Sequence, residues 1–424
     1  MPAPPVPSSP SIWKRAFPFT GLAKKNLKAF SLAAACNDTG EEMYAPYLPL
    51  FAQAFLGMNP EQFGLVESLG EATNRILRFF TGALTDRWGR KPPVVLGYIL
   101  ILLSRLGLST VHHWPWLIPF RALRQLGRTI RNPAREASIT DSLPPALRGK
   151  AFGLLEAVDT AGAIIGPLVG IFLLSLFSYQ GLRLGVTYSE SAYRSLFLWA
   201  ALPTVASAII IAVLLQETLP VSSPDRSPAS SLLSGLRSYW GSRPLVLVTL
   251  SNMILAVGAL PMGMVLFYLY RLPHGSAALG TLAFTLFSLI HFLSAYPAGM
   301  VADRLGRKKT LLIADLTILA ALLSLMIVPN AYWMVLPAIL LGLFESFWIA
   351  SRRAVIADLA PPEARGQTLG TFSAAYGLAS LLSPLLVGVL WQRFSPQAAF
   401  ASCALLCALS AALLMWGYQE RASP

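Results

Sequence analysis

Charged side chains inside apolar stretches are the first sign of chemistry in this sequence. Each costs about 2.5 to 3.5 kcal/mol at the centre of a membrane helix, so such groups face a watery cavity or one another. At about 100° per residue, Glu67, Glu71, Arg75 and Arg78 fall within about 80° of arc on one predicted helix. A second predicted helix carries a stripe of arginines in a similar arc: Arg121, Arg124, Arg128, Arg131 and Arg135. The two stripes predict a polar site inside the protein.

Further carboxylates lie on a predicted helix nearer the N-terminus. Asp38 lies ten residues past Lys28, which is about 15 Å along a helix and near the bilayer midplane, and Glu42 lies one turn further on the same face. We predict a hydrogen-bonded network in which a buried carboxylate exchanges a proton as its neighbours separate. The candidates for substrate binding and proton coupling are Asp38, Glu41, Glu42, Glu71, Arg75, Arg121, Arg124, Arg128, Asp159, Glu345 and Tyr376.

Permanently ionised structural pairs are the alternative interpretation of these charges. It is preferred for residues nearer helix ends, which are Glu67, Arg105 and Glu156. The second half of the chain has few ionisable groups in its predicted helices, chiefly His291, interpreted as a packing residue, and Glu345. It has many aromatic residues instead: Phe267, Tyr268, Phe284, Phe287, Phe344, Phe347, Trp348, Phe372 and Tyr376. A charged half facing an aromatic half predicts an amphipathic organic substrate rather than a bare inorganic ion.

The elements that position these residues are predicted to be membrane helices. Of the 424 residues, 55% are hydrophobic and 12% are charged, and the mean hydropathy is +0.58, which indicates an integral membrane protein. Crossing the hydrocarbon core takes about 20 apolar residues. Twelve stretches qualify, centred on residues 30–56, 62–84, 93–112, 115–136, 151–178, 193–215, 245–270, 277–301, 310–329, 332–354, 367–391 and 396–417. We predict an all-α membrane protein with 12 transmembrane helices in two pseudo-symmetric six-helix bundles.

The distribution of basic residues predicts the topology. Most of the 33 Lys and Arg residues fall in loops that share one side of the membrane, which predicts both termini in the cytoplasm and a multi-pass protein of the plasma or inner membrane. A Ser- and Pro-rich segment between the sixth and seventh helices predicts a linker. The predicted units are a cytoplasmic tail (1–27), a six-helix bundle (28–216), a cytoplasmic linker (217–242), a second six-helix bundle (243–418) and a cytoplasmic tail (419–424).

Several function classes are disfavoured. The net charge of +13 does not indicate nucleic-acid binding, because Lys and Arg occur in short runs between apolar segments. The cysteines at positions 36, 403 and 407 lack a CxxC spacing, so neither a metal site nor a disulfide framework is predicted. No cofactor motif is recognised. The N-terminus lacks a small-residue cleavage site, so a removed signal peptide is not expected.

An internal repeat divides the sequence. GALTDRWGRKP at residue 82 recurs as GMVADRLGRKK at residue 299, a displacement of 217 residues. The same displacement superposes Asp141 on Asp358 and Pro167 on Pro384. The halves are therefore predicted to be copies of one six-helix unit, which is typical of secondary transporters.

These motifs resemble those of the major facilitator superfamily over nearly the whole chain. The loop signature G-x-L-x-D-R-x-G-R-K is matched by residues 82–91 and 299–308, and an Arg signature on the fourth helix only approximately, by Arg121 or Arg124. A signature that the family associates with antiporters is matched by Gly162, Gly166, Pro167 and Gly170. The resemblance implies a substrate cavity between the halves and alternating access by rocking one half against the other.

The repeated loop is predicted to act as a gate. In the family, the loop Asp caps a helix of the opposite half and the loop Arg meets an Asp at the end of the fourth helix, for which Asp141 is the candidate here. The alternative is a topology anchor, which needs the basic residues but neither Asp86 nor the glycines. The predicted gate comprises Gly82, Asp86, Arg87, Gly89, Arg90, Asp141, Gly299, Asp303, Arg304, Gly306, Arg307 and Asp358.

The sequence therefore predicts a proton-coupled secondary transporter that exports an organic solute. A proton symporter for uptake of an organic acid is the main alternative within this class. A membrane enzyme is the second hypothesis, and it is disfavoured because the sequence contains no recognised catalytic motif. A transport-dead sensor on the same fold is the third hypothesis. The predicted partners are the lipid bilayer, a small organic substrate and protons, with one chain sufficient for function.

Overall fold

The computed structural model describes residues 21–178, 188–218, 239, 241–360 and 365–417, without the side chains of residues 78–87, 145–146, 353, 357, 365–367 and 417. Within these ranges the chain is helical and contains no β-strand. The first half forms α1 (Gly21–Glu42), α2 (Leu48–Ala54), α3 (Pro60–Trp88), α4 (Lys91–Ser109), α5 (Leu117–Ser142), α6 (Pro145–Ser178), α7 (Glu190–Trp199) and α8 (Ala201–Leu214). The second half forms α9 (Arg243–Gly258), α10 (Met262–Leu269), α11 (Ala277–Leu305), α12 (Arg307–Ile327), α13 (Val335–Leu359), α14 (Arg365–Ser380), α15 (Leu382–Arg393) and α16 (Pro396–Gly417).

Nine helical segments among the described residues are long and apolar enough to cross a membrane. They cover α4, α6, α7 with α8, and the helices of the second half. The remaining long helical segments are α1, α3 and α5, each of which carries several charged residues. The predicted all-helical membrane class is confirmed, and the three segments outside the apolar set hold most of the predicted polar site.

Local sequence signals explain where the repeated helices begin and end. The Asn59 side chain accepts from the Gln62 backbone N–H at 2.8 Å and the Gln62 side chain accepts from the Asn59 N–H at 3.0 Å, a capping box that starts α3. The motif glycines Gly89 and Gly306 end α3 and α11 with φ of 81° and 93°. A left-handed backbone favours glycine, so these two loop positions terminate a helix as well as mark the repeat.

The two halves pair their helices in the same way. In the first half α1 packs against α6 and α8, α3 against α5, and α4 against α5 and α8. In the second half α9 packs against α14 and α16, α11 against α13, and α12 against α13 and α16. Contacts between the halves join α3 to α15, α6 to α11, and α2 to α10. The internal repeat of the sequence is thus a repeat of packing.

The halves meet at the end of the molecule opposite the repeated loops. We call the end with residues 88–91 and 305–308 the basic end and the other the closed end. At the closed end the hydroxyls of Tyr47 and Thr281 lie 2.6 Å apart, and the Tyr270 hydroxyl donates to the Pro46 carbonyl at 2.8 Å. These bonds cross between the halves and hold them together at this end.

Candidate functional site

A cavity with two chambers lies between the halves. The inner chamber, of 360 Å³, is lined by Glu67, Glu71 and Arg75 of α3 and by aromatic side chains of the second half. The outer chamber, of 780 Å³, lies nearer the basic end. Its lining includes Arg75, Arg135, Glu136, Glu156, Glu345, Trp348, Arg352, Phe372 and Tyr376. The structure therefore brings a charged wall and an aromatic wall together, and the predicted residues Glu345 and Tyr376 line both chambers.

Glu41 is the most heavily partnered carboxylate of the first half. Its Oε2 lies 2.8 Å from Arg105 Nη2, and its Oε1 contacts Arg124 Nε. Arg105 is fully buried and also donates to the Asn37 carbonyl at 3.0 Å and to the Ala200 carbonyl at 3.2 Å. Because these bonds join α1 and α4 to the residue that precedes α8, they agree with the structural interpretation of Arg105. Glu41 belongs to this fixed cluster, since buried guanidinium groups need a charged partner.

The stripes of α3 and α5 face each other as paired groups. Arg121 contacts the Glu67 carboxylate, and the Gln125 amide donates to Glu71 Oε1 at 2.6 Å. Arg75 Nη2 lies 4.0 Å from Glu71 Oε2. Gln125 was not predicted as a site residue, because its side-chain amide is neutral and the prediction used charged residues at helical spacing.

Asp159 and two arginines extend the network toward the basic end. Asp159 Oδ2 lies 3.1 Å from Arg135 Nη2, and the Arg131 guanidinium lies 4.9 Å from the centroid of the Tyr98 ring. Arg128 forms no ion pair within the described part of the chain, although Glu41 and Asp38 lie within its electrostatic range. Among the described residues, Arg128 and Arg131 are therefore the two arginines of the α5 stripe that form no ion pair.

Asp38 and Glu42 differ from the other acids because neither forms an ion pair with a described residue. Asp38 Oδ1 accepts from the Asn37 amide at 2.7 Å, and the Asp159 carboxyl lies beside it. Glu42 Oε2 is buried and has no hydrogen-bond partner among the described residues. The absence of an ion pair to a described residue distinguishes Asp38 and Glu42 from Glu41, Glu67 and Asp159.

The glycines of the antiporter-type signature pack against this part of α1. A Cβ added to Gly162 would lie 3.0 Å from the Asp38 Cβ, and one added to Gly166 would lie 2.7 Å from the Glu42 Cβ. The hydroxyl of Tyr47, which lies between α1 and α2, donates to the Pro167 carbonyl at 2.7 Å and also contacts Thr281 of the second half. The close approach of α6 that glycine permits therefore places the unpaired acids beside the contact between the halves.

The loop residues of the basic end form ion pairs within each half. Arg90 Nε lies 3.1 Å from Asp141 Oδ2, and Glu217 accepts from the backbone N–H groups of Arg90 at 2.7 Å and Lys91 at 3.1 Å. Glu217 therefore caps the start of α4. It was not among the predicted site residues, although its position in the sequence ETLP after α8 could have indicated a polar contact at this end of the helix. These contacts join α4, α5 and the end of α8, so they fix the shape of one half.

The second copy of the loop is more exposed. Arg307 Nη1 lies 2.6 Å from Asp303 Oδ1, and its Nε lies 3.6 Å from Asp358 Oδ2. Arg304 occupies the last turn of α11, and a Cβ on Gly299 would meet open space. The predicted gate residues Gly82, Asp86 and Arg87 lie on α3 outside the described side chains, as does Arg78, so the predicted contact of Asp86 with the opposite half stays a prediction.

The expectation that His291 and Glu345 are the main ionisable groups of the second-half helices is wrong. Asp315 of α12 is 2% exposed and accepts from the Ser410 hydroxyl at 3.2 Å, and Arg352 lies on the cavity wall. Asp315 is a lone acid in the apolar part of α12, and Arg352 was not selected although it lies two turns beyond Glu345 on α13. His291 Nδ1 lies 3.0 Å from the Ser346 hydroxyl, as expected for a packing residue. Among the described residues no group of His, Cys, Asp and Glu side chains could hold a metal ion.

Two sets of identically paired helices around a cavity that is closed at one end define a multi-pass membrane transporter rather than an enzyme. The sequence matches the Major Facilitator Superfamily over residues 30–275 and 268–424, and the chain belongs to this family. It is 26% identical over 404 residues to an uncharacterized MFS-type transporter of Methanocaldococcus jannaschii, covering 92% of this chain and 94% of that protein.

Other relatives are similar over shorter stretches or in fold alone. The multidrug resistance protein MdtH of Escherichia coli is 37% identical over 122 residues, which is 28% of this chain and 30% of MdtH. Among solved structures, a bacterial homolog of the human lysosomal transporter Spinster, inward-facing and unoccupied, has a TM-score of 0.73 at 16% identity and covers 94% of this chain and 95% of that chain. A D-xylose–proton symporter has a TM-score of 0.74 at 13% identity, covering 94% and 99%.

Proposed function

We propose that the protein is a proton-coupled antiporter that exports a small amphipathic organic solute by alternating access. The observation that carries the proposal is the contrast among the acids of the first half. Glu41, Glu67 and Asp159 each contact an arginine, whereas Asp38 and Glu42 have none within the described residues. Of these five acids, Asp38 and Glu42 can change protonation state without breaking an ion pair to a described residue, so they are the proposed proton carriers.

The placement of these acids supports coupling to the movement of the halves. Asp38 and Glu42 lie where α6 approaches α1, nine and five residues before Tyr47, whose hydroxyl contacts Thr281 of the other half. Opening the closed end must break that contact, and it would change the surroundings of both acids. A group whose affinity for protons differs between two conformations links proton binding to the conformational equilibrium.

The cavity supports an amphipathic solute. Polar groups of the solute would bind Glu71 and Arg75, and its apolar part would lie against Trp348 and Tyr376. In this proposal the chain crosses the membrane twelve times, with α1, α3 and α5 as the polar crossings and both termini in the cytoplasm of the plasma or inner membrane. The bundles are residues 28–216 and 243–418, and the basic end is cytoplasmic, so the structure is inward-facing.

The loop ion pairs have a structural part in this cycle. Arg90, Asp141 and Glu217 would keep the helix ends of the first half together while that half moves as a unit. The second-half pairs of Arg307 would do the same more weakly. Closure across the halves is assigned to Asp86, as the family resemblance implies.

Uptake of an organic acid with protons is the second candidate. It is favoured by the three arginines of the outer chamber, Arg75, Arg135 and Arg352, which could bind a carboxylate solute. The resemblance to MdtH favours export, whereas the fold is shared with a proton symporter.

Transport by the purified protein in liposomes, with an imposed pH gradient and an interior pH dye, tests the proposal. A panel of organic cations, neutral compounds and acids is screened for solute-dependent proton movement. We expect solute and protons to move in opposite directions, and we expect Asp38→Asn and Glu42→Gln to abolish the proton movement. Glu190→Gln is the matched control, because Glu190 pairs with Arg194 away from the cavity.

The outcomes separate the candidates. Movement of solute and protons in the same direction would support the symporter, and full coupled transport by both acid variants would show that the acid network is structural. A protein that moves no solute on the panel, under any gradient, would contradict transport of the proposed substrate class.

A further inference from the structure

Asp315 is a buried acid of the second half that the proposed transport cycle does not use. It lies on α12 eight residues past Arg307, which places it about 12 Å from the basic end of that helix. Its side chain is 2% exposed, and it forms no ion pair with any residue in the described part of the chain. An isolated carboxylate in an apolar interior is strongly disfavoured, so this acid needs either a bound proton or another cation.

Two serines from other helices complete a polar cluster around it. The Ser410 hydroxyl of α16 donates to Asp315 Oδ2 at 3.2 Å. The Ser251 hydroxyl of α9 lies 3.0 Å from the Ser410 hydroxyl and 3.2 Å from the Ser410 carbonyl oxygen. We call Asp315, Ser410 and Ser251 the serine–aspartate cluster. Its members are all buried and come from three helices.

The cluster can serve both protonation states of the carboxyl group. When Asp315 is ionised, the Ser410 hydroxyl donates to it, as observed. When Asp315 is protonated, its O–H can donate to the Ser410 oxygen, and that hydroxyl can turn to donate to Ser251, because either oxygen of the serine pair can be the donor. Between the two states the carboxyl group gains or loses one proton, and neither serine changes its charge.

Among the described residues, no charged side chain contacts Asp315 and fixes its protonation state. Of the helices packed against α12, α16 contributes one titratable group within electrostatic range, the Cys407 thiol. Described side chains of α11 and α13 contribute no charged contact to Asp315. No arginine or lysine of the described chain therefore holds Asp315 as a permanent anion, in contrast to Glu41.

A polar connection leads from the cluster toward the cavity. Asn252 follows Ser251 on α9, and its side-chain oxygen accepts from the Trp348 indole N–H at 3.1 Å. Trp348 lines both chambers. Two adjacent residues of α9 therefore contact the cluster and the aromatic wall.

We propose that the serine–aspartate cluster is a second proton-binding site of the protein, located in the half that lacks the acid network. Its contribution to transport rests on the proton coupling proposed above, where it adds one proton per cycle. The cluster is too small for a hydrated metal ion, since its oxygens already lie within hydrogen-bonding distance of one another.

Infrared difference spectroscopy of the purified protein in lipid, titrated from acidic to alkaline pH, tests the site without a solute. We expect Asp315→Asn to remove one pH-dependent carbonyl band of a protonated carboxyl group. Ser410→Ala should keep that band and shift its frequency, because it removes the hydrogen bond to the carboxyl group. Glu345→Gln is the control for loss of another buried acid and should leave this band in place.

Three results would overturn the proposal. They are an unchanged titration in Asp315→Asn, a band that does not respond to pH, and a band that responds to sodium at constant pH. If Asp315→Asn does not fold, the frequency shift in Ser410→Ala decides, and its absence contradicts the site. In liposomes, Asp315→Asn should lose one proton per transported solute. A wild-type protein without transport would remove the proposed function and leave the infrared result intact.

Discussion

Arg135 and Arg352 occupy equivalent positions in the two halves, 217 residues apart, yet they bind different partners. Arg135 forms an ion pair of 3.1 Å with Asp159. Arg352 lies 3.6 Å from the ring centroid of Trp348 and 5.0 Å from that of Tyr376. Tyr376 is the residue that the repeat superposes on Asp159, so a carboxylate in one half is replaced by a ring face in the other.

In the proposed transport cycle, this difference gives the two walls of the cavity separate tasks. A carboxylate can exchange a proton, and its ion pairs depend on the charge of its neighbours. A ring face attracts a cation by about 0.5 to 2 kcal/mol and carries no net charge to lose. The repeat thus supplies one helical framework that carries a network of acids and arginines on the cavity wall of the first half and aromatic side chains on the cavity wall of the second half.

The largest loss of stability is expected when a buried ion pair of the first half is broken. Glu41→Gln leaves the buried Arg105 and Arg124 without their carboxylate, which should destabilise the fold by about 3 to 5 kcal/mol. Thermal unfolding in detergent measures this loss. Glu345→Gln in the second half is the matched control and should cost much less, because Glu345 forms no ion pair with a described residue. Equal losses would contradict the distinction between the halves.

An exchange of partners tests the aromatic wall. Tyr376→Asp gives Arg352 the partner that Arg135 has, and it removes a ring that lines both chambers. We expect an aromatic solute to bind about 2- to 10-fold more weakly, because a ring contact contributes about 0.5 to 1.5 kcal/mol. Tryptophan fluorescence reports the binding through Trp348, and Tyr376→Phe, which keeps the ring, should bind as the wild type does. Unchanged affinity in Tyr376→Asp would exclude this wall from the binding site.

The smallest effect is expected at the exposed loop of the second half. Arg307 pairs with Asp303 and Asp358, whose side chains are 69% and 61% exposed, so Arg307→Gln should cost less than about 1 kcal/mol. Arg90 is 9% exposed beside Asp141, and Arg90→Gln should cost about 1 to 3 kcal/mol. Unfolding of both variants in urea compares them directly. A larger loss of stability in Arg307→Gln than in Arg90→Gln would contradict the inference that the loop of the first half is held more tightly.

Much of the architecture could be predicted because it depends on local pattern. Long apolar segments indicated membrane helices, and the repeated loop indicated two copies of one unit, with Gly89 and Gly306 ending the helices where the motif recurs. The stripes of α3 and α5 followed from the helical period alone. The contact between Arg90 and Asp141 was expected from the family resemblance, whereas Glu217 was not, because its partners are backbone groups.

The polar site was only partly predictable because pairing depends on distant segments. Gln125 and Asn37 carry no charge and were omitted, although both bind predicted carboxylates. Asp315 was omitted because it stands alone on an apolar helix, and its partners lie 95 and 64 positions away in the sequence. Isolated polar residues give no period, so a pattern search does not find them.

Glu41 and Glu42 show which features the sequence determines and which depend on the tertiary structure. Composition, helical period and the 217-residue repeat determined that this chain is a membrane protein with charged helices in one half and aromatic helices in the other. The helical period separates the directions of the two adjacent glutamates, but it does not say which of them meets an arginine. The fold turns one toward Arg105 and Arg124 and leaves the other buried beside Gly166, because neighbouring residues on a helix point about 100° apart and meet different helices.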